Sequence, residues 1–155
     1  MKKLLLLVFC AFSLFASCAS YDKDIAAPGA GNNTDINSNP TGGKMKIKIG
    51  NSTFTATLYD NATAGAFKAL LPMTVNMAEL NGNEKYVDLS RSLPTNASNP
   101  VTIQTGDLML YGSTTLVLFY KTFSTSYSYT KLGRIDDVKG LGAAVGSGNV
   151  TVTFE

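Results

Sequence analysis

Met45-Lys46-Ile47-Lys48-Ile49-Gly50-Asn51-Ser52-Thr53-Phe54-Thr55-Ala56-Thr57-Leu58 is the stretch that decides the fold. Apolar side chains at 45, 47 and 49 alternate with lysines, the period-two pattern of a strand with one buried face. Gly50-Asn51 supplies a tight turn, and alternation resumes at Phe54, Ala56 and Leu58. The stretch predicts a β-hairpin.

Downstream, Asn61-Ala62-Thr63 precedes Ala64, Ala66, Phe67, Ala69, Leu70 and Leu71, where the apolar spacing becomes helical. Asn61 is expected to cap this helix and Pro72 to stop it. Strand patterns follow at 74–80, 85–89, 101–104, 108–111, 116–120, 132–135 and 150–154, with turns at Gly82-Asn83 and Gly112-Ser113. Residues 94–100 read as a surface loop, and 136–144 as holding a helical turn. Leu116-Val117-Leu118-Phe119-Tyr120 is apolar on both faces, which predicts a central strand. Many short strands with one or two short helices predict a mainly β domain closed into a barrel.

Upstream, residues 19–43 are rich in Gly, Asn, Ser, Pro, Thr and Ala, with almost no large apolar side chains. Ordering such a stretch costs entropy without burying surface, so 18–44 is expected to be a flexible tether. The chain opens with Lys2 and Lys3 and an apolar run over 4–15, the layout of a secretory signal. That run is shorter than the roughly 20 residues needed to cross a bilayer. Leu14-Phe15-Ala16-Ser17-Cys18 resembles the lipobox of bacterial lipoproteins, with Phe15 where Leu is usual. The resemblance implies a signal peptide over 1–17 and acylation of Cys18, which would tether the protein to a membrane through its fatty chains. Ala19, rather than Asp, follows the cysteine, which by resemblance to the Gram-negative sorting rule implies the outer membrane. Asp22-Lys23-Asp24 reads either as a surface-export tag or as plain solvated tether.

Removing Cys10 with the signal and lipidating Cys18 leaves no cysteine pair, so the domain over 45–155 must be held by its core alone. The formal charge of +2 resides in Lys2 and Lys3, and the rest of the chain is balanced. A nucleic-acid partner needs a basic face to displace counterions, and no basic cluster exists, so that class is excluded.

Leu58-Tyr59-Asp60-Asn61, Leu70-Leu71-Pro72, Gly82-Asn83-Glu84-Lys85, Gly106-Asp107-Leu108, Leu118-Phe119-Tyr120 and Leu132-Gly133-Arg134-Ile135 together resemble the bacterial cyclophilin-like family, in order and spacing. The resemblance implies a closed cyclophilin-like β-barrel whose ends are covered by helices. It also raises prolyl isomerisation, in which an arginine beside an aromatic proline pocket favours rotation about a bond with a barrier of about 18–20 kcal/mol. This chain has no His and no Trp, and no Phe-His-Arg segment, so that pocket does not carry over residue by residue.

Candidate binding residues remain. Arg134 has a planar fork suited to a carboxylate or carbonyl of a ligand; its alternative is an ion pair with Glu84, Asp136 or Asp137. Tyr120, Tyr127 and Tyr129 flank a Ser/Thr-rich segment in which Ser-Tyr-Ser-Tyr alternation puts Tyr127 and Tyr129 on one face. They form either a binding strip for a peptide, glycan or small molecule or an aromatic pair within a sheet. Asp60 sits at a pocket rim or caps the helix with Asn61. Glu84-Lys85 reads as a surface ion pair. No triad, zinc site or cofactor motif has its parts. The glycine-rich 140–146 segment lacks the Lys-Ser/Thr of a phosphate loop and reads as a loop. Sequence alone therefore points to an envelope lipoprotein with a non-catalytic binding or accessory domain, the alternative being a divergent prolyl isomerase.

Overall fold

The computed structural model describes residues 39–155. The expected signal peptide over 1–17, the expected lipidation of Cys18 and the part of the expected tether up to residue 38 lie outside the described residues.

The predicted hairpin is present: β1 (Lys44–Ile49) and β2 (Ser52–Leu58) pair antiparallel, with Ile47 opposite Phe54. Met45, Ile47 and Ile49 are buried while the intervening lysines are exposed. The expected helix is α1 (Ala62–Lys68), and the side chain of Asn61 accepts from the amide of Ala64 at 2.8 Å, satisfying a first-turn donor. Then come β3 (Met73–Leu80), β4 (Glu84–Asp88), β5 (Thr102–Ile103), β6 (Asp107–Tyr111), β7 (Thr115–Phe119), β8 (Phe123–Ser124), β9 (Thr130–Ile135), α2 (Leu141–Val145) and β10 (Val150–Phe154).

Eight of these strands close a barrel in the order β1-β10-β3-β4-β7-β6-β9-β2, and every neighbouring pair runs antiparallel. Closure removes the free edges that an open sheet leaves unpaired. Where β9 passes β2, Gly133 lies opposite Leu58, and a Cβ there would meet the Thr57 carbonyl oxygen at 2.8 Å. Only a residue without a side chain lets the two strands approach that closely.

Two apolar clusters explain why β7 is hydrophobic on both faces. Leu116 and Leu118 point into the barrel, where they join Ile47, Phe67, Leu108, Leu110, Val152 and Phe154. Val117 and Phe119 point outward into a second cluster with Ile103, Met109 and Tyr129. The two-stranded β5–β8 sheet lies outside the barrel and helps to cover this outer patch.

Two local expectations are corrected. The glycine-rich 140–146 segment is not simply a loop, because Leu141–Val145 forms α2 between Gly140 and Gly146, whose φ angles are 83° and 60°. Leu141 and Val145, one turn apart, are both buried, and that anchoring makes the short helix. Glu84 and Lys85 do not form a surface ion pair. Adjacent residues of a strand point to opposite faces; Lys85 pairs across with Leu118 on the inner face, and Glu84 with Phe119 on the outer face.

Candidate functional site

On the outer face of the barrel, a cavity of roughly 570 Å³ opens between three segments. The β3–β4 turn contributes Asn83 and the start of β4 contributes Glu84, β6 and β7 contribute Tyr111 and Val117, and the chain from Phe123 to Tyr129 forms the opposite wall. The outer pairing of Tyr86 with Val117 provides the floor.

Aromatic rings shape the walls. Tyr111 meets Tyr127 edge to face at 6.1 Å between centroids and leans on Tyr129 at 5.7 Å. Tyr129 stands edge to face against Phe119 at 5.5 Å, and Phe119 leans at a tilt on Phe123 at 5.7 Å, which continues the aromatic row into the outer apolar cluster. Tyr129 is almost buried, whereas Tyr127 and Tyr111 are 62% and 47% exposed, so the row grades from anchored to solvent-facing. Rings that are large, rigid and polar at one tip suit recognition of a ligand with mixed character. Tyr127 and Tyr129 both line the same wall of the cavity, each in ring contact with Tyr111.

Glu84 is the charged residue of the lining. Burial, and then the nearby Glu79 carboxylate, push its carboxyl above the ordinary value. Burial first, and the Glu84 charge second, likewise raise Tyr129. Asn83, just before Glu84, has a side-chain oxygen that is buried without a hydrogen-bond partner among the described residues. Asn81 enters the turn with a φ of 56°, a left-handed conformation that Asn tolerates better than most residues.

The other candidate residues lie elsewhere. Arg134 does not line the cavity: its Nε donates to Oδ1 of Asp107 at 2.6 Å, so its ion-pair partner is Asp107 rather than Glu84, Asp136 or Asp137. Asp136 instead binds Lys44 at 2.8 Å and the Thr57 hydroxyl at 2.5 Å. Tyr120 is also outside; its hydroxyl donates to Glu79 at 2.9 Å, with Lys85 lying 5.3 Å from its ring centroid. Lys85 is fully buried, pairs with Glu79, and donates to the carbonyls of Gly146 and Gly148 at 3.0 and 2.6 Å, fastening the α2–β10 loop to the barrel. Asp60 is exposed beside Asn61, and the capping oxygen belongs to Asn61 alone. Sequence reasoning passed over Tyr111 and Glu84 as site residues. A Tyr at the end of an apolar strand and a Glu after a turn carry no local signal, and only the barrel brings them together.

Among the described residues, no three His, Cys, Asp or Glu side chains cluster as a metal site would require. The model of a family described as the cyclophilin-like family matches residues 47–155. A solution structure of a hypothetical protein from Archaeoglobus fulgidus is similar at 18% identity, covering 77% of this chain and 98% of that one, with a TM-score of 0.49. The comparison with curated proteins gave no match.

Proposed function

The chain belongs to the cyclophilin-like family, and from that premise we propose that it is an envelope lipoprotein whose barrel serves as a non-catalytic binding module, with the tyrosine-walled outer cavity as its site. One observation carries the reading: the charged group lining that cavity is the carboxylate of Glu84, while Arg134 is held by Asp107. The resemblance attributes stabilised rotation about a prolyl bond to an arginine beside the amide, whereas this cavity offers a carboxylate, neutral hydroxyl and amide groups and stacking surface, with no cationic side chain in its lining. Fold alone assigns no activity, so the argument rests on these side chains.

The lipobox-like run ending at Cys18 supports a lipid anchor, and Ala19 supports outer-membrane delivery. Metabolic labelling with palmitate tests this part: label is expected on the protein and absent from Cys18→Ser.

The binding part is tested by titrating the full protein with capped peptides, saccharides and proline-containing peptides, following tyrosine resonances by NMR. Ligands are expected to perturb Tyr111, Tyr127 and Tyr129, and Tyr127→Ala is expected to weaken them. A prolyl isomerisation rate above background that disappears in Tyr129→Ala would overturn the non-catalytic reading in favour of a divergent isomerase.

A further inference from the structure

Glu84 has an unusual position for a carboxylate. Its side chain lines the cavity and is partly buried, yet among the described residues it takes part in no hydrogen bond or ion pair. The neighbouring cation is turned away, because strand alternation sends Lys85 into the barrel, where Glu79 and two carbonyls hold it. Burying an unpaired charge is costly, and this charge faces rings whose π-faces are themselves electronegative. Burial accordingly pushes the Glu84 carboxyl upward, with Glu79 adding to the effect. Both the carboxylate and the aromatic walls are stabilised by the same kind of guest, which is a cation.

The shape of the wall and the turn narrow the class. Tyr111 and Tyr127 stand at 87° to each other, and both line the cavity. The buried oxygen of Asn83 in the adjoining wall lacks a donor, and an orphaned acceptor costs about 1–3 kcal/mol. Amide side chains turn readily about their terminal torsion, so a guest carrying N–H groups can relieve Asn83 as well as Glu84. A quaternary ammonium, which has no N–H, can do neither by hydrogen bonding.

We infer that the cavity takes an organic cation bearing N–H donors, of the chemistry found at the end of an arginine or lysine side chain, with Glu84 as its counter-charge and Tyr111, Tyr127 and Tyr129 as its aromatic wall. This rests on the proposal that the cavity is a binding site, and it specifies the charge of what enters. An arginine head would stack on a tyrosine and engage Glu84 through two N–H groups, whereas a lysine head would sit as a point charge.

The experiment is an NMR titration of the full protein with four capped probes and choline. The probes are Nα-acetyl methylamides of arginine, lysine, norleucine and glutamate. The two cationic amides are expected to bind on the order of tenfold more tightly than the norleucine amide, through ion pairing and cation–π contact together. Glu84→Gln, with an otherwise unchanged spectrum, is expected to abolish that preference, and the arginine-to-lysine ratio separates the two sources of the cation. Equal affinity for the norleucine amide overturns the inference while leaving the cavity a binding site. Choline binding as tightly as the cationic amides overturns the donor requirement, and hence the class named. No perturbation of the cavity tyrosines by any probe overturns the inference, and the peptide and saccharide panel then judges the broader reading separately.

Discussion

Arg134 and Asp107 lie directly opposite each other in the β6–β9 pairing, and Nε of the first donates to Oδ1 of the second at 2.6 Å. The other oxygen of Asp107 accepts from the amide of Gln104 at 2.8 Å, so this nearly buried carboxylate is fully engaged at the start of β6. Removing one member of a buried pair leaves the other charge stranded. Arg134→Ala is expected to destabilise the protein by about 3 kcal/mol in chemical denaturation while leaving cavity affinities unchanged after correction for unfolded protein. A loss confined to ligand binding, with unaltered stability, would return Arg134 to the list of ligand-contacting residues.

Lys85, Glu79 and Tyr120 make a second, partly buried network, and it titrates at both ends of the pH scale. Burial by itself raises the Glu79 carboxyl, but hydrogen bonds from Lys85, Tyr120 and the Gly82 amide outweigh it and hold the group below its ordinary value of 4.5. A depressed folded value means stability that is present above 4.5 and is lost as pH falls through the lower folded value. Asp136, held down by Lys44 and Thr57 against the upward effect of burial, adds to the same acid limb. Melting temperature is therefore expected to fall on acidification below that range, and Glu79→Gln to flatten the fall.

At the alkaline end the sign reverses. Burial first, then the hydrogen bond to Glu79, push Tyr120 from 10.0 up to about 12. The folded state holds this proton, so the contribution is complete below 10.0 and disappears as pH rises towards about 12. Phenolate absorbance should show a late step at about 12 from Tyr120, and Tyr120→Phe should remove that late step without affecting ligand binding at the outer cavity. A late step that persists in Tyr120→Phe would contradict this assignment.

Tyr111 contributes more to the cavity than to the fold. It is 47% exposed and touches Tyr127 and Tyr129 by ring contacts, each worth about 0.5–1.5 kcal/mol beyond area burial. Tyr111→Ala is expected to lower stability by only about 1–2 kcal/mol and to weaken every cavity ligand. Intact affinity in a folded Tyr111→Ala protein would remove the ring from the site.

Gly133→Ala tests how tightly the barrel closes. The added methyl would lie 2.8 Å from the Thr57 carbonyl oxygen and 3.2 Å from the Leu58 side chain, and backbone on the β2 side cannot yield cheaply. Overpacking of this kind costs typically about 1–3 kcal/mol, readable as a lower denaturation midpoint. Gly65→Ala, on an open face of α1, is expected to be neutral or stabilising by contrast.

Much of this was written in local pattern. The β1–β2 hairpin, the Asn61 cap and the apolar faces of β6 and β7 follow from alternation, turn residues, capping chemistry and unbroken apolar runs, which act over a few residues and so leave a local trace. The mainly β barrel and its two short helices stand as the alternation implied. Tyr127 and Tyr129 were legible as neighbours because period two puts them on one face.

What the tertiary structure alone decided is which distant residues meet. Arg134 finds Asp107 rather than Glu84, Asp136 or Asp137, and Lys85 leaves the surface for Glu79 and the α2–β10 loop. Tyr111 and Glu84 reach Tyr127 only because β4, β7 and β6 are adjacent in the closed sheet. Strand periodicity fixes the face on which a side chain emerges, whereas strand order and register fix its neighbours. Those are set by the packing of the whole core, a sum over contacts between residues far apart in the chain that no short stretch contains.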